Sequence, residues 1–175
     1  MATSPHACRR FVALLRGVNV GQTTKVPMAV LRELVEATGA TEVSTLLNSG
    51  NVVFSASVAP PATELETAIA GATGVSTRAV ILDASRFRRI VEAMPFEGDL
   101  SRLTIGFMDA APASIELPDV EKLAPEQFFL GKDACYQSLP DGVSKTKLKP
   151  SFWKQLPPET TVRNLRTAQK LVELL

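Results

Sequence analysis

The order of strand-like and helix-like segments is the feature that most limits the folds open to this sequence. Apolar periodicity and turn residues predict a strand, a helix, two strands, a helix and a strand in its first half. Asn48-Ser49-Gly50 is typical of a tight turn, so the two central strands are expected to pair as a hairpin. The predicted segments are a strand at Phe11–Leu15, a helix from Pro27 to a cap at Gly39, strands at Glu42–Leu47 and Asn51–Ala56, a helix opened by a Thr63/Glu66 capping box and ended by Gly74, and a strand at Ser76–Leu82.

A second series of segments repeats this order after a connecting helix at Ser85–Met94, which Pro95 ends. The repeated segments are Leu103–Met108, Asp119–Leu123, Gln127–Leu130, Ala134–Leu139, Lys147–Leu156, Thr160–Val162 and a closing helix that ends at Leu175. The sequence therefore predicts an α+β fold made of two ferredoxin-like βαββαβ units, a duplication joined by a helix. The expected organisation is a flexible tail at 1–9, a first unit at 10–83, a linker helix at 84–101 and a second unit at 102–175.

This topology places two polar segments together. In an antiparallel sheet of order 4-1-3-2, the first strand lies beside the third, and the loop that leaves it emerges at the same edge as the hairpin between strands two and three. We therefore expect the loop at Arg16–Lys25 to face the hairpin residues Asn48–Asn51.

Composition excludes several classes of protein. No stretch of the 175 residues approaches the ~20 consecutive apolar residues that a transmembrane helix needs. The apolar run before Arg16 is too short for an export signal, so a cytoplasmic protein is expected. Cys8 and Cys135 have no disulfide-framework or metal-ligand spacing.

The sequence contains one histidine, His6, which lies in the polar N-terminal tail. Its position argues against His-based zinc sites and against nucleophilic triads. Asp109 and Asp119 are too far apart in the sequence to indicate a metal site. We therefore expect neither a metal nor a cofactor.

Two groups of residues resemble a known family. The N-terminal group is Phe11-Val-Ala-Leu-Leu-Arg-Gly-Val-Asn-Val-Gly21, Lys25-Val-Pro-Met28 and Asn48-Ser-Gly-Asn-Val-Val-Phe54, and the C-terminal group is Ser144-Lys145 and Thr161–Thr167. This pattern is similar to the uncharacterised family catalogued as domain of unknown function 1697. The resemblance implies a duplicated ferredoxin-like fold and no particular reaction. The sequence departs from the family pattern at Gln22, where a second glycine is common, and at Leu165, where tryptophan is frequent.

Charge is distributed unevenly along a chain whose formal net charge is only +1. Residues 1–32 carry five basic and no acidic side chains, residues 33–131 carry six basic and 14 acidic ones, and residues 132–175 carry eight basic and four acidic ones. If the fold brings the two basic ends together, one face would attract anions. The alternative is two unrelated solvated patches.

The loop from Arg16 to Lys25 is the first candidate ligand site. It is not a P-loop, because Gly17 and Gly21 are too close together and Gln22 stands where the lysine is required. Glycines still allow backbone N–H groups to approach a ligand, with charge from Arg16 and Lys25 and hydrogen bonds from Asn19. In the alternative interpretation the glycines permit a turn and Asn19 only braces the loop.

The remaining candidate residues also have structural explanations. Asn48, Ser49 and Asn51 suit the hairpin turn, and their expected closeness to Arg16 is what makes them candidate ligands. Asn164 is expected to cap the last helix. Arg163 and Arg166 either create an anion site at that helix start or pair with acidic neighbours.

The leading hypothesis is a protein that binds an anionic, phosphate-bearing small molecule or a nucleotide. Three alternatives remain. Nucleic-acid binding lacks the usual aromatic platform, because the chain has one Tyr, one Trp and no strand motif that combines basic and aromatic residues. A histidine-independent enzyme would use Lys25 or a carboxylate as its proton carrier, and an interaction module would form a homodimer. The sequence leaves open whether any reaction is catalysed.

Overall fold

The computed structural model describes residues 8–175, so His6 and most of the predicted tail lie outside the described residues. The chain divides into two compact units. The first extends to Phe87 and includes Leu174–Leu175, and the second comprises Arg88–Glu173. Each unit contains one four-stranded antiparallel sheet, so the structure confirms a mixed α+β fold.

The first unit contains the elements that position the candidate loop. They are β1 (Arg9–Arg16), α1 (Met28–Ala37), β2 (Thr41–Leu46), β3 (Asn51–Ala56), α2 (Ala62–Thr73), β4 (Arg78–Asp83) and the start of α3 (Ala84–Glu92). The sheet order is β2-β3-β1-β4, which confirms that the first strand lies beside the third. The register pairs Leu14 with Asn51 and Arg16 with Arg78, so β1 runs between β3 and β4.

The core of the first unit follows from the apolar strands. Residues 11–15 of β1 are buried, as are all six residues of β3, because both strands are central in the sheet. The rings of Phe11 and Phe54 stack with centroids 5.6 Å apart, and Leu31 and Val35 of α1 join the same cluster. A rigid sheet therefore supports both segments of the candidate site.

The second unit has the corresponding strand order, β6-β7-β5-β8. Its elements are β5 (Leu103–Phe107), α4 (Val120–Leu123), β6 (Gln127–Leu130), β7 (Ala134–Ser138), α5 (Pro150–Trp153), β8 (Thr161–Asn164) and α6 (Leu165–Glu173). The helix predicted over Lys147–Leu156 is shortened to α5. Pro150 accounts for its later start, because a residue that precedes proline avoids helical backbone and Lys149 is extended, with ψ 148°.

The predicted capping box at the start of α2 was wrong. The helix begins at Ala62 after an extended Pro61, and no capping bond from a side chain is present at this described end. Glu66 instead reaches β4, where its carboxylate accepts hydrogen bonds from the Ala79 N–H (2.8 Å) and the Arg78 guanidinium (3.0 Å). A contact with β4, the next element along the chain, has replaced the local one.

Candidate functional site

The loop after β1 (residues 17–27, hereafter the β1–α1 loop) contacts the β2–β3 hairpin, as the topology predicts. The Leu15 N–H donates to the Gly50 carbonyl at 2.8 Å, and the Asn19 side-chain amide donates to the Asn48 carbonyl at 2.6 Å. These bonds connect positions about thirty residues apart in the chain. The adjacency on which the candidate site depends is therefore confirmed.

The side-chain amide and the backbone N–H of Asn19 all form hydrogen bonds within the protein. Its Nδ2 donates to the Val26 carbonyl (3.0 Å) as well as to Asn48, and its Oδ1 accepts from the Val26 N–H (2.9 Å). Its backbone is left-handed, with φ 56°, and its N–H donates to the Thr24 carbonyl at 2.6 Å. Both amide hydrogens are engaged, so the geometry matches the interpretation in which Asn19 braces the loop.

The hairpin residues are also engaged in local structure. Asn51 has no exposed surface, and its Nδ2 donates to the Leu46 carbonyl and to Ser49 Oγ, both at 2.8 Å. Gly50 has the positive φ that the turn predicts, but the other positive φ belongs to Leu47 and not to Asn48. A bulky residue with φ 57° is unusual, and Leu47 is also 56% exposed.

A concave site of about 350 Å³ lies between the β1–α1 loop, the start of α1 and the hairpin. Its lining residues are Asn19, Gly21, Lys25, Val26, Pro27, Met28 and Asn48; we call it the loop cleft. Lys25 is exposed, and no hydrogen bond or ion pair joins its ammonium to the described part of the chain. The loop cleft therefore has one available cation.

The N-terminus of α1 opens beside that cation. Pro27 is the N-cap residue, and the first intrahelical bond runs from the Leu31 N–H to the Pro27 carbonyl at 3.0 Å. The N–H groups of α1 that come before Leu31 have no intrahelical partner, and within residues 8–175 no side chain caps this end of the helix. Sequence reasoning recognised Pro27 as a helix start but did not include the N-terminus of this helix in the site.

Arg16 does not line the loop cleft. It ends β1 in register with Arg78 of β4, the neighbour on the side opposite β3, and its carbonyl accepts the Thr77 hydroxyl at 2.8 Å.

The C-terminal candidate residues lie in the second unit. Asn164 caps α6, because its Oδ1 accepts the Thr167 N–H at 2.9 Å, as predicted. The Arg166 guanidinium lies 3.6 Å from Asp99, which matches the alternative of pairing with an acidic neighbour. Arg163 donates to Thr161 Oγ1 (2.8 Å) and to the Val162 carbonyl (2.9 Å), and burial lowers its pKa to about 10.

Other reactive groups are in apolar surroundings. Cys135 is buried, and loss of hydration raises the pKa of its thiol to about 12. Burial likewise raises the pKa of Tyr136 to about 12, and its hydroxyl donates to the Ile90 carbonyl at 2.9 Å. Neither group is poised to ionise near neutral pH. Among residues 8–175, no group of three or more His, Cys, Asp or Glu side chains is placed to hold a metal ion.

None of the helices in the described range 8–175 is both long enough and apolar enough to span a bilayer.

The fold and the loop cleft define an α+β protein with two four-stranded antiparallel sheets and a loop site beside the first. The chain belongs to the family described as "Protein of unknown function (DUF1697)", which matches residues 8–136 and confirms the resemblance seen in the N-terminal motifs. The C-terminal motifs lie outside the matched residues. Among solved structures it is similar to the conserved bacterial protein SP0830 from Streptococcus pneumoniae, with 27% identity and a TM-score of 0.70 over 96% of this chain and 99% of that chain. No curated protein matches the sequence.

Proposed function

We propose that the protein binds a small phosphate-bearing anion in the loop cleft. The observation that carries this proposal is the exposed, unpaired Lys25 ammonium beside the uncapped N-terminus of α1. The helix N-terminus supplies partial positive charge and open N–H donors, and the lysine supplies a full charge. A phosphate group matches both.

The residues of the cleft divide into binding and positioning groups. Lys25 and the first turn of α1 would contact the anion. Asn19 is a positioning residue, because its bonds to Val26 and Asn48 hold both walls of the cleft in place. Asn51 and Ser49 fix the hairpin in the same way. Arg16 does not line the cleft, so in this proposal it contributes only to the positive electrostatic field of residues 1–32, which attracts anions at longer range.

The size of the cleft favours a small ligand. About 350 Å³ is at the lower end of the range for small-molecule sites, roughly 300–1,000 Å³. A phosphate ester of modest size fits this volume. Inorganic phosphate, a sugar phosphate and a nucleotide therefore form a graded series of probes.

The experiment is calorimetric titration of the purified protein with that series, repeated on Lys25→Gln. We expect measurable binding of at least one phosphate compound and at least about a tenfold loss in Lys25→Gln, because a hydrogen bond to a charged group is worth roughly 1.5–3 kcal/mol. Lys170→Gln is the matched control, since Lys170 is an exposed lysine of the second unit. Equal binding by wild type and Lys25→Gln would refute the proposal.

The two units are, in this proposal, copies of one ferredoxin-like fold. Two observations support it: both follow the order strand, helix, strand, strand, helix, strand, and the strand orders β2-β3-β1-β4 and β6-β7-β5-β8 correspond. A cytoplasmic location remains a prediction from sequence.

A further inference from the structure

The second unit contains a larger cleft that the proposed function does not use. It has a volume of about 510 Å³, and its two walls are formed by residues 116–123, which include α4, and by residues 147–155, which include α5. We call it the α4–α5 cleft. Its volume falls within the range of small-molecule sites.

The α4–α5 cleft has a mixed lining in which three apolar core residues lie among polar and charged ones. Leu123, Leu148 and Phe152 line it and are 4–6% exposed, and they belong to the apolar core of this unit. Leu117, at the edge, is 60% exposed, a large apolar side chain left in water beside the opening. A ligand with an apolar body would cover mainly Leu117, because the three core residues expose little surface, and removing this apolar area from water favours binding.

Hydrogen bonds hold the two walls in place. Gln155 binds the backbone of Glu116 twice, accepting from its N–H at 2.9 Å and donating to its carbonyl at 3.4 Å. The buried carboxylate of Glu126 accepts the Lys147 N–H at 2.7 Å and the Thr146 hydroxyl at 2.9 Å. The cleft is therefore formed before any ligand arrives, which lowers the entropic cost of binding.

The charged groups at the cleft differ in their availability. Lys122 is paired with Asp119 at 2.8 Å, and the Lys147 ammonium donates to the Ala124 carbonyl. Lys149 is exposed, and its ammonium has no hydrogen bond or ion pair with the described residues. One lysine thus remains available next to an apolar surface.

We propose that the α4–α5 cleft binds a small amphipathic anion, with an apolar body against Leu148 and Phe152 and a single carboxylate on Lys149. Three lysines against two carboxylates line the cleft, so the local field also favours an anion. This inference is independent of the loop cleft, because it concerns residues of the second unit and requires an apolar ligand body.

The test is a two-dimensional ¹H–¹⁵N NMR titration of the full chain with octanoate. We expect amide shifts concentrated in residues 116–123 and 147–155. Lys149→Gln should weaken binding about fivefold, the scale of an exposed ion pair. Lys154→Gln, an exposed lysine outside the lining, should bind octanoate as the wild type does.

Further probes separate the two parts of the ligand. Octanol should bind more weakly than octanoate, and acetate should leave the cleft amides unchanged because it lacks the apolar body. Ser151→Trp fills the opening from α5 and should abolish the shifts while the remaining spectrum stays that of a folded chain. Octanoate shifts that fall outside both walls, or equal affinity in Lys149→Gln and wild type, would overturn the proposal.

Discussion

The side chain of Asn19 donates a hydrogen bond to the backbone carbonyl of Asn48 at 2.6 Å, across the gap between the β1–α1 loop and the β2–β3 hairpin. The same side chain closes the loop on Val26 with two further bonds. One residue therefore sets both the shape of the loop and its distance from the hairpin.

Removing the Asn19 side chain should loosen the first unit. Asn19→Gly tolerates φ 56° and deletes all three side-chain bonds, so we expect the free energy of unfolding to fall by about 2–3 kcal/mol, at roughly 1 kcal/mol for each bond. Urea denaturation measures the change. Thr23→Ala alters an exposed residue of the same loop and should stay within about 0.5 kcal/mol of wild type. Equal stability of both variants would contradict a bracing role.

Gly50 is required for a close approach as well as for its backbone conformation. A Cβ at this position would lie 2.7 Å from Leu15 Cβ and from Val18 Cγ2, and φ is +74°. Gly50→Ala should therefore cost about 2–4 kcal/mol through combined crowding and left-handed strain.

Gly17 provides the matched control, since its φ is +68° and a Cβ there would meet nothing within 4 Å. Gly17→Ala should cost only the conformational part, about 1–2 kcal/mol. Thermal or urea unfolding of the two variants separates crowding from strain, and similar losses in both would show that the contact with Leu15 is easily relieved.

The contact between loop and hairpin was predictable from sequence because it follows from topology. Once two strands flank an Asn-Ser-Gly turn and β1 lies beside β3, the loop after β1 must emerge at the hairpin edge. The N-terminal motifs of the family include these same two segments, so one set of residues indicated both the family and the location of the site.

The role of Asn164 as a cap was predictable from sequence, but the choice between the alternatives for Asn19 was not, because it depends on three-dimensional contacts. From the sequence alone, the Asn19 side chain could equally face solvent. In the structure its backbone is left-handed and its amide bonds Val26 and Asn48. Leu47, and not Asn48, adopts the positive φ, against local preference. Tertiary contacts decided the role of Asn19, whereas no contact among the described residues explains the positive φ of the exposed Leu47.

Substitutions at Glu66 and Thr63 test whether the contact of Glu66 with β4 has replaced the predicted capping box. Its carboxylate accepts the N–H of the buried Ala79 and the Arg78 guanidinium, so Glu66→Ala should cost about 1–3 kcal/mol by leaving that N–H unpaired. Thr63→Ala should be nearly neutral, within about 0.5 kcal/mol. A functioning capping box would instead make Thr63→Ala cost about 1 kcal/mol, and urea denaturation distinguishes these results.

The ionisation of Asp99 should make the free energy of unfolding depend on pH in the acid range. The Ser101 backbone N–H, then the Ser101 hydroxyl, and more weakly Arg166 and Arg102, hold the pKa of Asp99 below its ordinary value of 3.8. Because the folded pKa is the lower one, this carboxylate contributes stability above pH 3.8 that is lost as the pH falls through the folded value.

Carboxyl-carbon NMR titration checks the order of these causes. Ser101→Ala, which keeps the backbone donor, should raise the pKa of Asp99 more than Arg166→Gln does, since the hydroxyl outranks the guanidinium 3.6 Å away. A larger rise in Arg166→Gln would mean that the ion pair, and not the turn around Asp99, holds the charge.

Substitution by valine should change the free energy of unfolding in opposite directions at Thr160, just before β8, and at Thr161, its first residue. The Thr160 hydroxyl is buried and has no hydrogen-bond partner among residues 8–175, whereas Thr161 Oγ1 accepts a bond from Arg163 at 2.8 Å. Valine nearly preserves the volume of threonine, so Thr160→Val removes an unpaired polar group and should stabilise the protein by about 1 kcal/mol. Thr161→Val removes the acceptor of a half-buried guanidinium and should destabilise it by about 1–3 kcal/mol. Both positions are less than 9% exposed, so urea denaturation of the two variants compares the loss of an unpaired hydroxyl with the loss of a hydrogen-bonded one. A loss of stability in Thr160→Val would show that the Thr160 hydroxyl has a hydrogen-bond partner in solution.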